Sequence, residues 1–193
     1  MSWSKFIDTS MHRSATMDDD NTYHNSNHVN RLYKHANSLA IPYSANLDAA
    51  IMWHDVVYDK HPYKEAKSAI AFLDFYHSDS SYWGVDSKVV NELILNTTDH
   101  VIHSHIDETM ILLDLYDLAD VKTAESNYYK ILEESKLLYG ISEKEFAKNN
   151  ILFMNNLANT VINNIAKSSK FKKEWAGILA GIYHTINISK VFL

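Results

Sequence analysis

Apolar positions recur every three or four residues along most of the chain, the spacing that gathers them on one face of an α-helix. Tyr23, His24, His28 and Leu32 predict a helix from the low 20s to about residue 40. It should stop at Ile41-Pro42, because a residue before proline is pushed out of helical geometry. A second helix, beginning near Asn46 or Asp48, would carry Ala50, Trp53, His54 and Val57. Segment 64–77 offers Ala66, Ala69, Ile70 and Leu73 as a buried stripe, and 87–101 offers Val90, Leu93, Ile94, Thr97 and Val101. The polar run SDSSYWGVDS between them reads as a loop.

The pattern continues through 107–122, with Met110, Leu113, Asp117, Leu118 and Val121, and through 125–138, with Tyr128, Ile131, Leu132 and Leu138 before a closing Gly140. Ser142 with Glu145 fits a capping box that opens a long helix through Phe146, Phe153, Leu157, Val161 and Ile165. KSSKFKK interrupts the periodicity, and a last helix shows a wide apolar face of Trp175, Ile178, Leu179, Ile182, Tyr183 and Ile186. That face reads as packing, and it is broad enough to serve a homodimer as well. With four glycines, two prolines and no Asn-Gly or Asp-Gly hairpin signal, the expectation is an all-α bundle. Its 193 residues suit a single domain, 1–193.

Composition narrows the chemistry. There is no cysteine, so any metal must be held by nitrogen and oxygen. A net charge of −6 argues against long duplex nucleic acid as a partner, yet not against a small phosphate ester beside a cation. No segment has the continuous apolar run of a membrane span, and the N-terminus lacks a secretory pattern, so a cytoplasmic protein is expected. Ten of the eleven histidines fall between His12 and His105, which places the chemistry in the N-terminal half. His12, His61, His77 and His184 read as surface residues.

His24 and His28, four apart, would share one helix face. The adjacent His54 and Asp55 would diverge by about 100° on a helix, so they can share an ion only if it lies close against the helix and other elements complete its shell. A His-Asp step alone is weak evidence in a chain rich in both residues. Asp114, Asp117 and Asp120 step by three through the apolar run MILLDLYDLADV. A carboxylate on a buried stripe costs several kcal/mol unless a metal, a cation or a proton neutralises it.

The blocks YHNSNHV (23–29), AIMWHDVVY (50–58), KEAKSA (64–69), LILNTTDH (93–100) and LLDLYDLADV (112–121) together resemble, in order and spacing, those of the HD-superfamily metal-dependent phosphohydrolases. The resemblance covers about residues 20–185. It implies a compact HD-domain-like helical bundle and a metal held by His28, His54, Asp55 and Asp117. Asp117 follows from matching DLADV, although the family separates its two aspartates by one residue and this chain by two, which leaves Asp114 as the rival. The resemblance further implies that His100 contacts phosphate or a second metal and that Glu65 orients or deprotonates the attacking water. Lys64 stands where the family has Asn, and Asn21 where it commonly has Arg, which bears on substrate recognition.

Imidazole and carboxylate ligands suit Mn, Fe, Co, Ni or Zn, with Mg compatible. The implied activity is attack of a metal-activated water, held by Asp55, on a small phosphate ester, with nucleotides the leading substrates. His24, Lys64 and His100 would bind the phosphate. Tyr23, Trp53, Tyr58 and Tyr63 lie near the motifs and could stack on a base, although core packing explains each of them too. Two other readings remain: a degenerate domain of this type that binds a nucleotide or a protein partner, and a di-iron oxygenase drawing on His24, His100, His103 and His105.

Overall fold

The computed structural model describes residues 22–58, 63–78, 84–168 and 170–193. Half of SDSSYWGVDS, the first 21 residues including His12 and Asn21, and His61 lie outside them. The described residues form an all-α bundle of α1 (Ser26–Ser38), α2 (Ala45–Trp53), α3 (Lys64–Ser78), α4 (Ser87–Leu95), α5 (His105–Leu115), α6 (Val121–Tyr139), α7 (Glu143–Lys167) and α8 (Lys172–Lys190). A 3-10 turn over Tyr116–Ala119 joins α5 to α6. No helix among them is long and apolar enough to cross a membrane.

Two of the helices bury residues on nearly every side and therefore run through the interior. In α2, Leu47, Ala49, Ala50, Ile51, Met52 and Trp53 are all buried; in α5, so are Met110, Ile111, Leu112, Leu113 and Leu115. The flanking helices bury one stripe each: Val29, Leu32, Tyr33 and Ala36 from α1, Val90, Leu93 and Ile94 from α4, and Leu157, Ala158 and Val161 from α7. Trp175, Ile178, Ile182 and Ile186 of α8 join the same core, so most of the face expected to be available for a dimer is covered within the chain. A second, smaller cluster gathers Tyr128, Leu132 and Phe146.

Caps explain where the helices begin. Ser44, Asp86, Ser104, Asp120 and Ser142 each accept a hydrogen bond from a backbone N–H of the first turn they precede. Gly140 closes α6 at φ +66°, as its position after Leu138 implied. Several expectations need correction, among them Val57 and His54 on the second helix, which ends at Trp53. The first helix starts at Ser26, because Asn25 caps it, so Tyr23 and His24 lie ahead of the helix rather than on it. The fourth ends at Leu95, and the chain then turns through His100 at φ +57°. Segment 107–122 is not one helix, since Asp120 caps α6 and the intervening residues tighten into the 3-10 turn. Ile70 and Phe153, expected inside, are 58% and 50% exposed.

The 3-10 turn is clamped by α8. A Cβ on Gly181 would collide with the carbonyl carbon and oxygen of Leu118, so only glycine lets the two approach this closely. That contact fixes the segment which carries Asp114 and Asp117.

Candidate metal centre

Four side chains converge where the two interior helices end. His28 projects from the first turn of α1, His54 and Asp55 follow the last residue of α2, and Asp114 sits in the last turn of α5. His28 Nε2 lies 3.2 Å from His54 Nε2, 3.5 Å from Asp55 Oδ2 and 3.3 Å from Asp114 Oδ1. His54 Nε2 lies 3.2 Å from the same Asp55 oxygen and 3.5 Å from the same Asp114 oxygen. His28, His54 and Asp55 are all buried, and the three can hold a metal ion.

The spacing fits an ion. Donors about 2.1 Å from a common centre stand about 3.0–3.4 Å apart in octahedral or tetrahedral arrangement, and the separations here run from 3.2 to 3.5 Å. The donor set fits too, because two imidazoles and two carboxylates suit a divalent transition metal. His54 Nδ1–H donates to the Ile51 carbonyl at 3.0 Å, which leaves a lone pair on Nε2, the nitrogen facing the cluster.

The electrostatics point the same way. Burial alone would raise the Asp114 carboxyl, yet hydrogen bonds from His100, His28 and His54 hold it well below the ordinary range. Burial would likewise raise Asp55, and the neighbouring His54 outweighs it and keeps Asp55 ionised. Against its own burial, His54 is pushed up by Asp55 and Asp114. A proton and a metal ion therefore compete for the same nitrogen.

Asp117 does not reach this cluster; its rival Asp114 is the aspartate whose Oδ1 approaches His28 and His54. The partners of Asp117 are already in place: Arg31 Nε donates to Oδ2 at 2.7 Å, His35 Nε2 to Oδ1 at 2.8 Å and Asn127 Nδ2 to Oδ2 at 3.2 Å. The Tyr23 hydroxyl adds a longer bond to Oδ2 at 3.4 Å. Although burial opposes it, His35 and Arg31 pull the Asp117 carboxyl down to about 2. Arg31 links the two groups, since its Nη2 stands 3.4 Å from His28 Nδ1.

The remaining expected residues surround a cavity of about 260 Å³ lined by His24, Asp55, Lys64, Glu65, His100 and Asp114, among others. His24 Nδ1–H donates to Glu134 Oε1 at 2.6 Å, and its ring stacks on Tyr58 with centroids 3.8 Å apart. Lys64 Nζ sits 3.8 Å from the centre of the Tyr58 ring. Tyr58 thus positions two cavity side chains, while Trp53 packs on Phe72 and Phe75 in the core and Tyr63 is 72% exposed. His100 Nε2 is 3.3 Å from Asp114 Oδ2, and its carbonyl accepts from Asn164 Nδ2 at 2.8 Å. That bond helps hold His100 in a left-handed conformation that residues with a Cβ seldom adopt. His103 and His105 are exposed and outside the cluster; His105 stands 3.7 Å from Glu108 at the far end of α5.

Compared with known proteins, the chain matches no family model, no curated protein and no solved structure. Residue-level geometry therefore carries the functional reading. Sequence reasoning missed Arg31, His35, Asn127, Glu134 and Asn164. A signal existed for two of them, because His28, Arg31 and His35 step by three and four along one face of α1. Glu134 accepts from the backbone N–H groups of Tyr23 and His24 at 2.9 and 3.0 Å, a tertiary contact that periodicity does not encode.

Proposed function

We propose that the protein is a metal-dependent phosphohydrolase acting on a small phosphate ester. The observation that carries this reading is the set of five separations of 3.2–3.5 Å among two imidazole nitrogens and two carboxylate oxygens, at the edge of a cavity. The resemblance of the sequence blocks to the HD superfamily supports it. Asp114 in place of Asp117 departs from that motif match yet leaves two histidines and two aspartates at the cluster. A divalent ion held by His28, His54, Asp55 and Asp114 would supply a Lewis acid that makes water acidic near neutral pH and offsets charge at phosphorus.

The chain's own groups supply the rest. Glu65 lines the cavity and takes a proton from the attacking water. Lys64 and His100, on the same cavity, face the phosphoryl oxygens, and Glu134 orients the His24 ring. The water oxygen bonds to phosphorus as the P–O bond to the alcohol breaks, and the departing alcohol oxygen takes up a proton from solvent while Glu65 returns its own to solvent. The test is release of inorganic phosphate from nucleotides and artificial phosphate esters with Mn, Co or Ni. Asp55→Ala is expected to lose turnover and bound metal while its helical circular dichroism persists. Full activity in a folded Asp55→Ala protein would refute the mechanism.

A further inference from the structure

The cavity beside Asp55, His100 and Asp114 extends well beyond those polar groups. It continues between α6, α7 and the 3-10 turn, where Leu115, Leu118, Ile131, Phe146, Met154 and Leu157 form its wall. Leu157 and Met154 belong to the main core and Phe146 to the second cluster, so the chamber lies at the seam between two hydrophobic clusters. At this end the buried Tyr128 hydroxyl has no hydrogen-bond partner, whereas three other polar side chains already donate within the protein. Asn127 Nδ2 donates to Asp117, Asn150 Nδ2 to Ser189 Oγ at 2.9 Å and Thr185 Oγ1 to the Gly181 carbonyl at 2.9 Å. Among the described residues, Lys64 is the one lysine or arginine on the cavity, and it lies with the polar groups.

Each feature restricts the ligand. A second or third phosphoryl group would find no further fixed cation, and a ribose and base would bring many polar atoms to a wall with few free donors. A volume near 260 Å³ is below the roughly 300–1,000 Å³ usual for drug-sized ligands. We propose that the site takes phosphate monoesters of apolar alcohols. The phosphoryl group lies between Lys64, His100 and the Asp55–Asp114 cluster, and an aryl or alkyl group fills the chamber between α6 and α7. The phosphoryl end of this assignment rests on the phosphohydrolase reading; the chamber does not.

Calorimetric titration of the Mn-loaded protein with methylphosphonate, phenylphosphonate and a phosphonate analogue of adenosine monophosphate tests it without turnover. Phenylphosphonate is expected to bind at least about 10-fold more tightly than methylphosphonate, the gain that burying one ring provides. The adenosine analogue should show no such gain. Ala124→Leu, which extends a buried wall residue into the chamber, should abolish the phenyl advantage and leave methylphosphonate affinity unchanged. Phe153→Ser, at a half-exposed wall position that does not threaten folding, should diminish it. Equal affinity for methyl and phenyl ligands, or tighter binding of the adenosine analogue, would overturn the proposal. If no phosphonate binds in a metal-dependent manner, the phosphohydrolase reading fails. Titration with benzyl alcohol in the absence of metal then decides the chamber, which stands if Ala124→Leu removes that binding and falls if benzyl alcohol does not bind.

Discussion

Asp114 and Asp117 stand three residues apart at the same junction, and both face α1, yet their surroundings differ in kind. Asp114 meets His28 on the first turn of α1, together with His54 and His100. Asp117 meets Arg31 and His35, one and two turns further along the same helix. A guanidinium keeps its charge at any ordinary pH, so Asp117 is neutralised from within the chain. The ion-pair partners of Asp114 and Asp55 are imidazoles, whose charge is conditional, and a divalent cation could complete such an arrangement. One approach of two helical segments therefore builds a structural ion pair and a candidate metal site side by side.

The largest contrast should appear in stabilisation by metal. With Mn or Co at 100–1,000 times its dissociation constant, the wild-type protein should gain about 3–4 kcal/mol, read as a rise in the unfolding midpoint. Asp114→Ala should gain none, whereas Asp117→Ala should keep the gain. Next in size is the metal-free stability of Asp117→Ala, which leaves Arg31 and His35 without their carboxylate. A loss of about 2–4 kcal/mol in chemical denaturation is expected, and a loss below a few tenths would break the comparison.

A smaller effect follows from pH. The folded Asp117 carboxyl titrates near 2, below its ordinary 3.8, so it contributes stability at pH values above its unfolded range. That contribution, about 2 kcal/mol, disappears as pH falls from about 4 through about 2. Metal-free wild-type protein should therefore lose more stability across that window than Asp117→Asn, and parallel curves would contradict the assignment. Smallest is Asn164→Ala, which removes the side chain bracing His100 and Ile102 and should cost about 1–2 kcal/mol. It should also weaken phosphate-ester turnover more than metal binding, because His100 touches Asp114 from the cavity side.

Much of this was legible from the chain. Periodicity located the eight helices of the described residues, and Gly140 and Ser142 correctly marked the end of α6 and the start of α7. The physical argument that a carboxylate on an apolar stripe needs a partner also pointed to the right segment. The preference for Asp117 over Asp114 came from matching DLADV, and reading 107–122 as one helix hid the 3-10 turn that separates the environments of the two aspartates. Asp120, third in the series, is simply the cap of α6. Residues that act across long sequence separations were invisible: Glu134 reaches Tyr23 and His24, and Asn164 reaches His100, through contacts that no local pattern records. Their positions follow from packing, where a buried polar atom must find whatever partner the tertiary fold brings.

The comparison between the two aspartates is settled most directly by counting bound metal. Equilibrium dialysis against Mn or Co, followed by elemental analysis, should find one divalent ion per chain in the wild-type protein and in Asp117→Asn, and essentially none in Asp114→Ala. Retention of the ion by a folded Asp114→Ala protein, with its loss from Asp117→Asn, would contradict the account and return the ligand position to Asp117.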